Sequence, residues 1–153
     1  MMKIISHRAN KNGPNKDLEN TTAAILERID EGFDVEVDIW RIEKKFFLGH
    51  DKPEYEVKLN WINKYSKHLW LHCKNRDALE FLYSNDNKNL NYFFHNNDDY
   101  TITSKGIVWC YPGSSTVKNS VYLFPEKFPI NMSEIIKHNL YICTDYPLRY
   151  QNK

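Results

Sequence analysis

Apolar positions along the chain follow two spacings, one typical of strands and one typical of helices. Strict alternation over 34–40 (DVEVDIW) predicts a strand, followed by a hairpin that turns at Lys44 and Lys45. Short apolar runs that end in polar residues predict further strands, at 3–8, 68–75, 91–97, 106–113, 121–126 and 140–147. The second half of the chain therefore consists mainly of strands.

Helical spacing is concentrated in the first half of the chain. The first predicted helix can be capped by Asn20 or Thr21, and Gly32 ends it. Shorter segments with one apolar face predict the other helices, at 58–67, 76–85 and 132–139. Ser133 is the expected N-cap of the last one.

Polar residues gather at the C-terminal ends of the predicted strands, as in SHR, EVD, HCKN and TDYP. Alternation of strands with helices implies parallel strands, and in a parallel barrel these ends form the catalytic rim. A doubly wound sheet would usually carry a glycine-rich phosphate turn, which the sequence lacks. We therefore predict an α/β fold, a single domain over 1–153 that forms a reduced TIM-type (β/α) barrel. A full barrel takes about 250 residues, so several helices of the C-terminal half must be lost or shortened.

Composition narrows the functional classes. An apolar content of 41% with 27% charged residues is typical of a globular protein, and a net charge of +1 does not indicate a nucleic-acid partner. No stretch is long enough to span a membrane, and the first apolar run is too short for an export signal. Cys73, Cys110 and Cys143 are widely spaced and odd in number. Reduced thiols, and so a cytoplasmic location, are expected.

Two carboxylates share one face of a predicted strand. Glu36 and Asp38 are two residues apart, so their side chains point the same way. Unpaired carboxylates that are buried together repel each other and are costly to desolvate. A divalent cation would resolve both problems, and oxygen ligands suit Mg²⁺, Ca²⁺ or Mn²⁺. Ion pairs with Arg8, Lys74 or Arg41 would also satisfy them, and strand spacing alone leaves both solutions open.

Two histidines end short apolar segments. His7 follows IIS and His50 follows FFLG. Because histidine titrates near neutrality, two of them beside a metal-bound phosphate could act as general base and general acid. Arg8 could bind phosphate oxygens through its planar fork, and Lys74 could add a point charge.

Four short motifs occur in a characteristic order: His7-Arg8, Glu19-Asn20-Thr21, Glu36-Val37-Asp38 and His50-Asp51. Together with the closing TDYP (144–147), they resemble the signature of the glycerophosphodiester phosphodiesterases. The resemblance covers roughly the first third of the chain and the last strand. It implies a TIM barrel and a hydrolase of lipid metabolism that uses one divalent cation on a small phosphodiester substrate.

The resemblance assigns roles to the matching residues: acid–base catalysis to His7 and His50, metal binding to Glu36 and Asp38, phosphate binding to Arg8 and Lys74, and support to Glu19, Asn20 and Asp51. Glu19 is expected to brace the arginine. In the family, a glycerol hydroxyl of the substrate attacks phosphorus through a cyclic intermediate, while the metal neutralises charge on the oxygens.

The chain departs from the family pattern in two respects. The family has Glu-x-Lys on the third strand, whereas this chain has His72-Cys73-Lys74, which makes His72 the third metal ligand. Loss of a negative charge is expected to weaken Mg²⁺ or Ca²⁺ binding and to favour Mn²⁺ or similar metals. A site that has lost its metal is the alternative. The shortened second half also leaves less protein to surround the alcohol group.

We therefore expect a metal-dependent phosphodiesterase. Two alternatives remain open from the sequence. One is a degenerate barrel that binds a phosphorylated ligand without turnover. The other is a phosphodiesterase that acts on a sugar- or lipid-linked envelope precursor.

Overall fold

A computed structural model of the protein describes residues 2–84, 87–138 and 140–151. Within these residues, ten strands form one curled mixed sheet: β1 Ile4–His7, β2 Asp34–Ile42, β3 Lys45–Leu48, β4 Tyr55–Val57, β5 Leu69–Cys73, β6 Asn91–Phe93, β7 Tyr100–Ile102, β8 Val108–Cys110, β9 Ser120–Leu123 and β10 Tyr141–Thr144. The helices are short: α1 Thr22–Asp30, α2 Leu59–Lys64, α3 Arg76–Ser84 and α4 Met132–Lys137.

Parallel strands make up most of the sheet, in the order β6-β5-β2-β1-β10-β9-β8. The prediction of parallel pairing is therefore confirmed for these strands. Three further strands add antiparallel edges: β3 pairs with the second half of β2, β4 pairs with β3, and β7 pairs with β8. The long strand β2 thus has β5 along one side and both β1 and β3 along the other.

The predicted TIM-type barrel is wrong. The sheet is a curled half-barrel of mostly β structure, whereas a TIM barrel closes and follows each strand with a helix. In the described residues the chain passes from β8 to β9 without a helix, and no ladder joins β6 to β7 or β8. Individual hydrogen bonds link β6 to the segment around β7, for example from Ser104 N to Tyr92 O at 2.8 Å. Polar residues at strand ends are common to both architectures, so that pattern could not distinguish them.

Several element boundaries differ from the prediction. Thr21 is the N-cap of α1, and its hydroxyl accepts a hydrogen bond from Ala24 N at 3.3 Å. Ser133 is not the cap of α4, because the helix begins at Met132 and its N-cap is Asn131, two residues before the predicted cap. The predicted ends of two helices, Asn85 and Asn139, lie outside the described residues. Strands β4 and β7 were missed because polar residues flank their three residues on both sides, whereas the equally short β6 and β8 lie within longer apolar runs.

Aromatic and aliphatic side chains fill the concave face of the sheet: Ile5, Trp70, Phe93, Trp109, Val121, Leu123 and Cys143. Trp109 stacks on Phe93 with ring centroids 4.5 Å apart. The helices cover the convex face, where Ile25 of α1 and Leu82 of α3 are fully buried. With the concave face packed, charged side chains at the C-terminal strand ends lie above an apolar floor.

None of the helices in the described parts of the chain has the length and apolar character that crossing a membrane requires.

Two adjacent isoleucines of α4 offer a matched test of how this helix docks. Ile135 is 1% exposed and packs on the convex face, whereas Ile136 is 73% exposed. We expect Ile135→Ala to lower the free energy of unfolding by about 2–5 kcal/mol, because it leaves a cavity. Ile136→Ala should change it by less than about 0.5 kcal/mol. Urea denaturation measures both, and equal effects would contradict the docking of α4.

Candidate active site

Strand register brings the charged residues to one end of the sheet. His7 on β1 lies opposite Glu36 on β2, and Asp38 lies opposite His72 on β5. Residues at paired positions share a face of the sheet, so these side chains stand together above the aromatic floor. Lys74, two residues beyond His72, reaches the same place.

Glu36, Asp38 and His72 are close enough to share a cation. One potential ligand atom from each lies within 4.8 Å of the others. His72 Nδ1 is 3.2 Å from Asp38 Oδ1 and 3.7 Å from Glu36 Oε1. Ligands of one metal at ordinary bond lengths are separated by about 3–4 Å. The three side chains therefore fit a divalent cation in spacing and in chemistry.

The orientation of His72 is fixed by two neighbours. Its Nε2 lies 3.1 Å from the carbonyl oxygen of His95, and its ring stacks on Phe93 at 5.0 Å. Because a carbonyl oxygen only accepts hydrogen bonds, Nε2 must carry a proton. In the neutral ring, the lone pair on Nδ1 then faces two carboxylates. That arrangement is repulsive unless a second proton or a metal ion lies between them.

Asp38 is surrounded by positive charge. Arg8 Nε lies 3.2 Å from Oδ2, and Lys74 Nζ lies 3.4 Å from Oδ1. The Asn20 side chain donates to Asp38 Oδ2 at 3.0 Å and accepts from Asp38 N at 2.9 Å. Burial alone would raise the pKa of Asp38, but the contact with His72 and the charges of Arg8 and Lys74 hold it well below its usual range. Ion pairs with Arg8 and Lys74, one of the two alternatives that the sequence left open, are therefore present for Asp38.

Glu36 is in a different position. It is 2% exposed, and burial, followed by the charge of Asp38, raises its pKa above the usual range. Among the described residues, its ion-pair neighbours are His7 and His72; neither the Arg8 guanidinium nor Lys74 bridges the two carboxylates. Moreover, Asp38 Oδ1 is buried and accepts no well-aligned hydrogen bond from any residue that the structure describes. The pair therefore retains a place for a cation.

His7 is held by a carboxylate that the sequence prediction did not include. His7 Nδ1 lies 2.7 Å from Asp145 Oδ1, which also accepts a hydrogen bond from Asn10 Nδ2 at 2.9 Å. Burial would raise the pKa of Asp145, but the hydrogen bond and charge of His7, with the Asn10 bond, hold it below its usual value. His7 Nε2 is left facing Glu36 Oε2 at 3.8 Å. Asp145 belongs to the TDYP motif (144–147), so its position at the end of a predicted strand could have identified it as a site residue.

Other residues around the site have mainly supporting contacts. Glu19 Oε2 lies 3.5 Å from Arg8 Nη1, and its other oxygen accepts a hydrogen bond from Asn10 at 3.0 Å. Glu126 accepts hydrogen bonds from Thr144 Oγ1 at 2.8 Å and from the Asp145 backbone at 3.1 Å. These contacts hold the Arg8 loop and the end of β10 in place.

His50 lies on the loop after β3 and is anchored next to Asp38. Gly49 N donates to the backbone oxygen of Asp38 at 3.2 Å, and Trp40 Nε1 donates to Gly49 O at 2.6 Å.

The side chain of His50 contacts Asp51. His50 Nδ1 is 2.7 Å from Asp51 Oδ1, and this hydrogen bond is the main cause of the lowered pKa of Asp51. His50 lines an open cleft of about 470 Å³ that Arg8, Glu19 and Asn20 also line.

Comparison with known proteins gave no match: no family model, curated protein or solved structure matches this chain. Interpretation of the site therefore depends on its geometry and on the order of its motif residues.

Gly49 provides a test of the His50 loop. Its φ is +146°, and a Cβ there would collide with the carbonyl oxygen of Lys52. Gly32 also has positive φ, at +90°, but a Cβ there would meet open space. We expect Gly32→Ala to cost about 1–3 kcal/mol from backbone strain alone, and Gly49→Ala to cost more and to shift the NMR signals of His50. If Gly49→Ala were no more disruptive than Gly32→Ala, the described loop would be wrong.

Proposed function

We propose that this protein is a cytoplasmic, metal-dependent phosphodiesterase that hydrolyses a glycerophosphodiester by histidine acid–base catalysis. The observation that supports it most is the direction of His72. Its Nδ1 faces two buried carboxylates while Nε2 is committed to a carbonyl oxygen. The order of the motifs around His7, Glu36 and His50 supports the choice of substrate class, and the buried free cysteines are consistent with a reducing compartment.

Glu36, Asp38 and His72 would hold the cation. Two carboxylates and one imidazole accept Mg²⁺, Ca²⁺ or Mn²⁺, and the imidazole favours Mn²⁺. When bound, the cation would neutralise developing charge on the phosphate oxygens.

Arg8 and Lys74 would bind the phosphate group. Both side chains are partly exposed, at 21% and 18%, although each contacts buried Asp38. Arg8 uses Nε and Nη1 in ion pairs with Asp38 and Glu19, and its remaining N–H groups can bind phosphate oxygens. The carboxylates thus orient the two cations toward the substrate.

His7 and His50 would transfer the protons. Asp145 accepts a hydrogen bond from His7 Nδ1–H, which leaves His7 Nε2 free to take the proton of the attacking hydroxyl. His50 would donate a proton to the departing alcohol from the cleft side, and Asp51 orients its ring. The resemblance implies that a glycerol hydroxyl of the substrate is the nucleophile. In the second half of the reaction the two histidines exchange roles and water opens the cyclic phosphate.

A second candidate is a protein that binds a phosphorylated ligand without turnover. The ion pairs that Arg8 and Lys74 make with Asp38 favour it, because the protein's own cations neutralise that carboxylate. Both candidates predict phosphate binding, and only the first predicts turnover that needs a metal.

Metal-stripped protein should regain hydrolysis of glycerophosphodiesters when a divalent cation is added back. We expect Mn²⁺ to restore more activity than Mg²⁺ or Ca²⁺, because one ligand is an imidazole. His7→Ala should lower kcat by at least about 100-fold. Folded protein that binds phosphate but turns over no diester with any metal would overturn the enzyme proposal and support the binding protein.

Asp145→Asn tests the orientation of His7. We expect kcat to fall by about 10- to 100-fold while KM changes less than about twofold, because Asp145 is buried and acts through its hydrogen bond with His7. The exposed Asp30→Asn is the matched control and should leave both constants unchanged. An Asp145→Asn enzyme with normal kcat would show that Asp145 does not position His7.

A further inference from the structure

The cleft beside His50 adjoins the candidate metal site through Arg8 and Asn20, which line the cleft and also contact Asp38. It occupies about 470 Å³ and lies between the loop before α1, which carries Lys16 and Glu19, and the loop after β3, which carries Asp51, Lys52 and Glu54. This volume is within the usual range for small-molecule sites. If His50 protonates the departing alcohol, that alcohol must lie in this cleft.

The carboxylates of the cleft wall already have basic partners: Glu19 pairs with Arg8 at 3.5 Å, Asp51 with His50 at 2.7 Å and Glu54 with Lys52 at 3.5 Å. Lys16 differs, because it makes no ion pair with any residue that the structure describes. Its charge acts on Asp51, whose pKa is lowered mainly by His50 and further by Lys16. Lys16 is therefore an ammonium group in the lining that no ion pair with a described residue holds in place.

The lining lacks the groups that bind apolar or quaternary ammonium ligands. Among the described residues, the imidazole of His50 is the only aromatic ring in the lining, no Phe, Tyr or Trp is present, and no aliphatic side chain lines the cleft. A trimethylammonium group is usually held against aromatic faces, and an acyl chain needs apolar surface. Carboxylate, amide and ammonium groups instead suit hydroxyl groups, which both donate and accept hydrogen bonds.

We propose that this cleft is the alcohol subsite and that it selects a polyol, such as glycerol, over choline or an acylated alcohol. Lys16 would donate to polyol hydroxyl oxygens and would disfavour a cationic alcohol. The proposal rests on the proposed function, because that function places the departing alcohol beside His50.

The test is equilibrium binding to the His7→Ala protein with Mn²⁺, so that turnover does not interfere. Calorimetry would compare glycerophosphoglycerol with glycerophosphocholine. We expect the polyol diester to bind about tenfold more tightly, because its hydroxyl groups pair with the polar wall. Lys16→Glu should reduce this ratio by about threefold or more, since it reverses an exposed charge. Lys118→Glu, an exposed lysine just before β9, should leave the ratio unchanged.

The subsite proposal would be overturned if the two diesters bound equally tightly, if the choline diester bound more tightly, or if neither bound. It would also be overturned if Lys16→Glu left the ratio of the two affinities equal to that of the parent. Turnover by the unmodified protein is a separate readout. Hydrolysis without selectivity would remove only the subsite proposal. Selective binding without hydrolysis would support the subsite and remove only the catalytic proposal.

Discussion

The site depends on one electrostatic constraint, the burial of two carboxylates side by side on β2. Glu36 and Asp38 are 2% and 0% exposed, and the packed aromatic floor beneath them keeps water from that side. Such a pair needs compensating positive charge. Asp38 receives it from Arg8 and Lys74, whereas the ion-pair contacts of Glu36 with the described residues are to histidines alone, supplemented by a hydrogen bond from the Arg8 backbone N at 3.3 Å. This imbalance is the basis for our proposal that Glu36 and Asp38 share a cation with His72.

Parallel pairing, and not closure of a barrel, produces the arrangement. Strands β1 and β5 flank the first half of β2, so their C-terminal ends deliver His7 and His72 to opposite sides of the carboxylates. The antiparallel strand β3 then returns the chain, and Gly49 attaches the His50 loop to the backbone of Asp38. A curled half-barrel is therefore sufficient to gather histidines from three separate segments.

The local sequence pattern predicted which charged residues share a strand face. It failed for contacts between residues that are far apart in the sequence. Period-two spacing placed Glu36 and Asp38 on one face, and the strand-end rule gathered His7 and His72 with them. Whether the sheet closes into a barrel could not be predicted, because closure requires β6 to form a ladder with a strand from the other end of the sheet. Asp145 was missed because it meets His7 across 138 residues, through the pairing of β1 with β10. That the side chains of Arg8 and Lys74 would both pair with Asp38 and not with Glu36 depends on ångström-scale placement, which residue spacing does not specify.

The most direct test of the central claim is ¹⁵N NMR of the His72 ring during titration with diamagnetic Mg²⁺, Ca²⁺ and Zn²⁺. The account predicts that Nε2 stays protonated while the Nδ1 resonance shifts on saturation, and that Asp38→Asn weakens the cation affinity. Ring resonances that do not respond to any of these cations, from folded protein near neutral pH, would contradict a metal site at Glu36, Asp38 and His72.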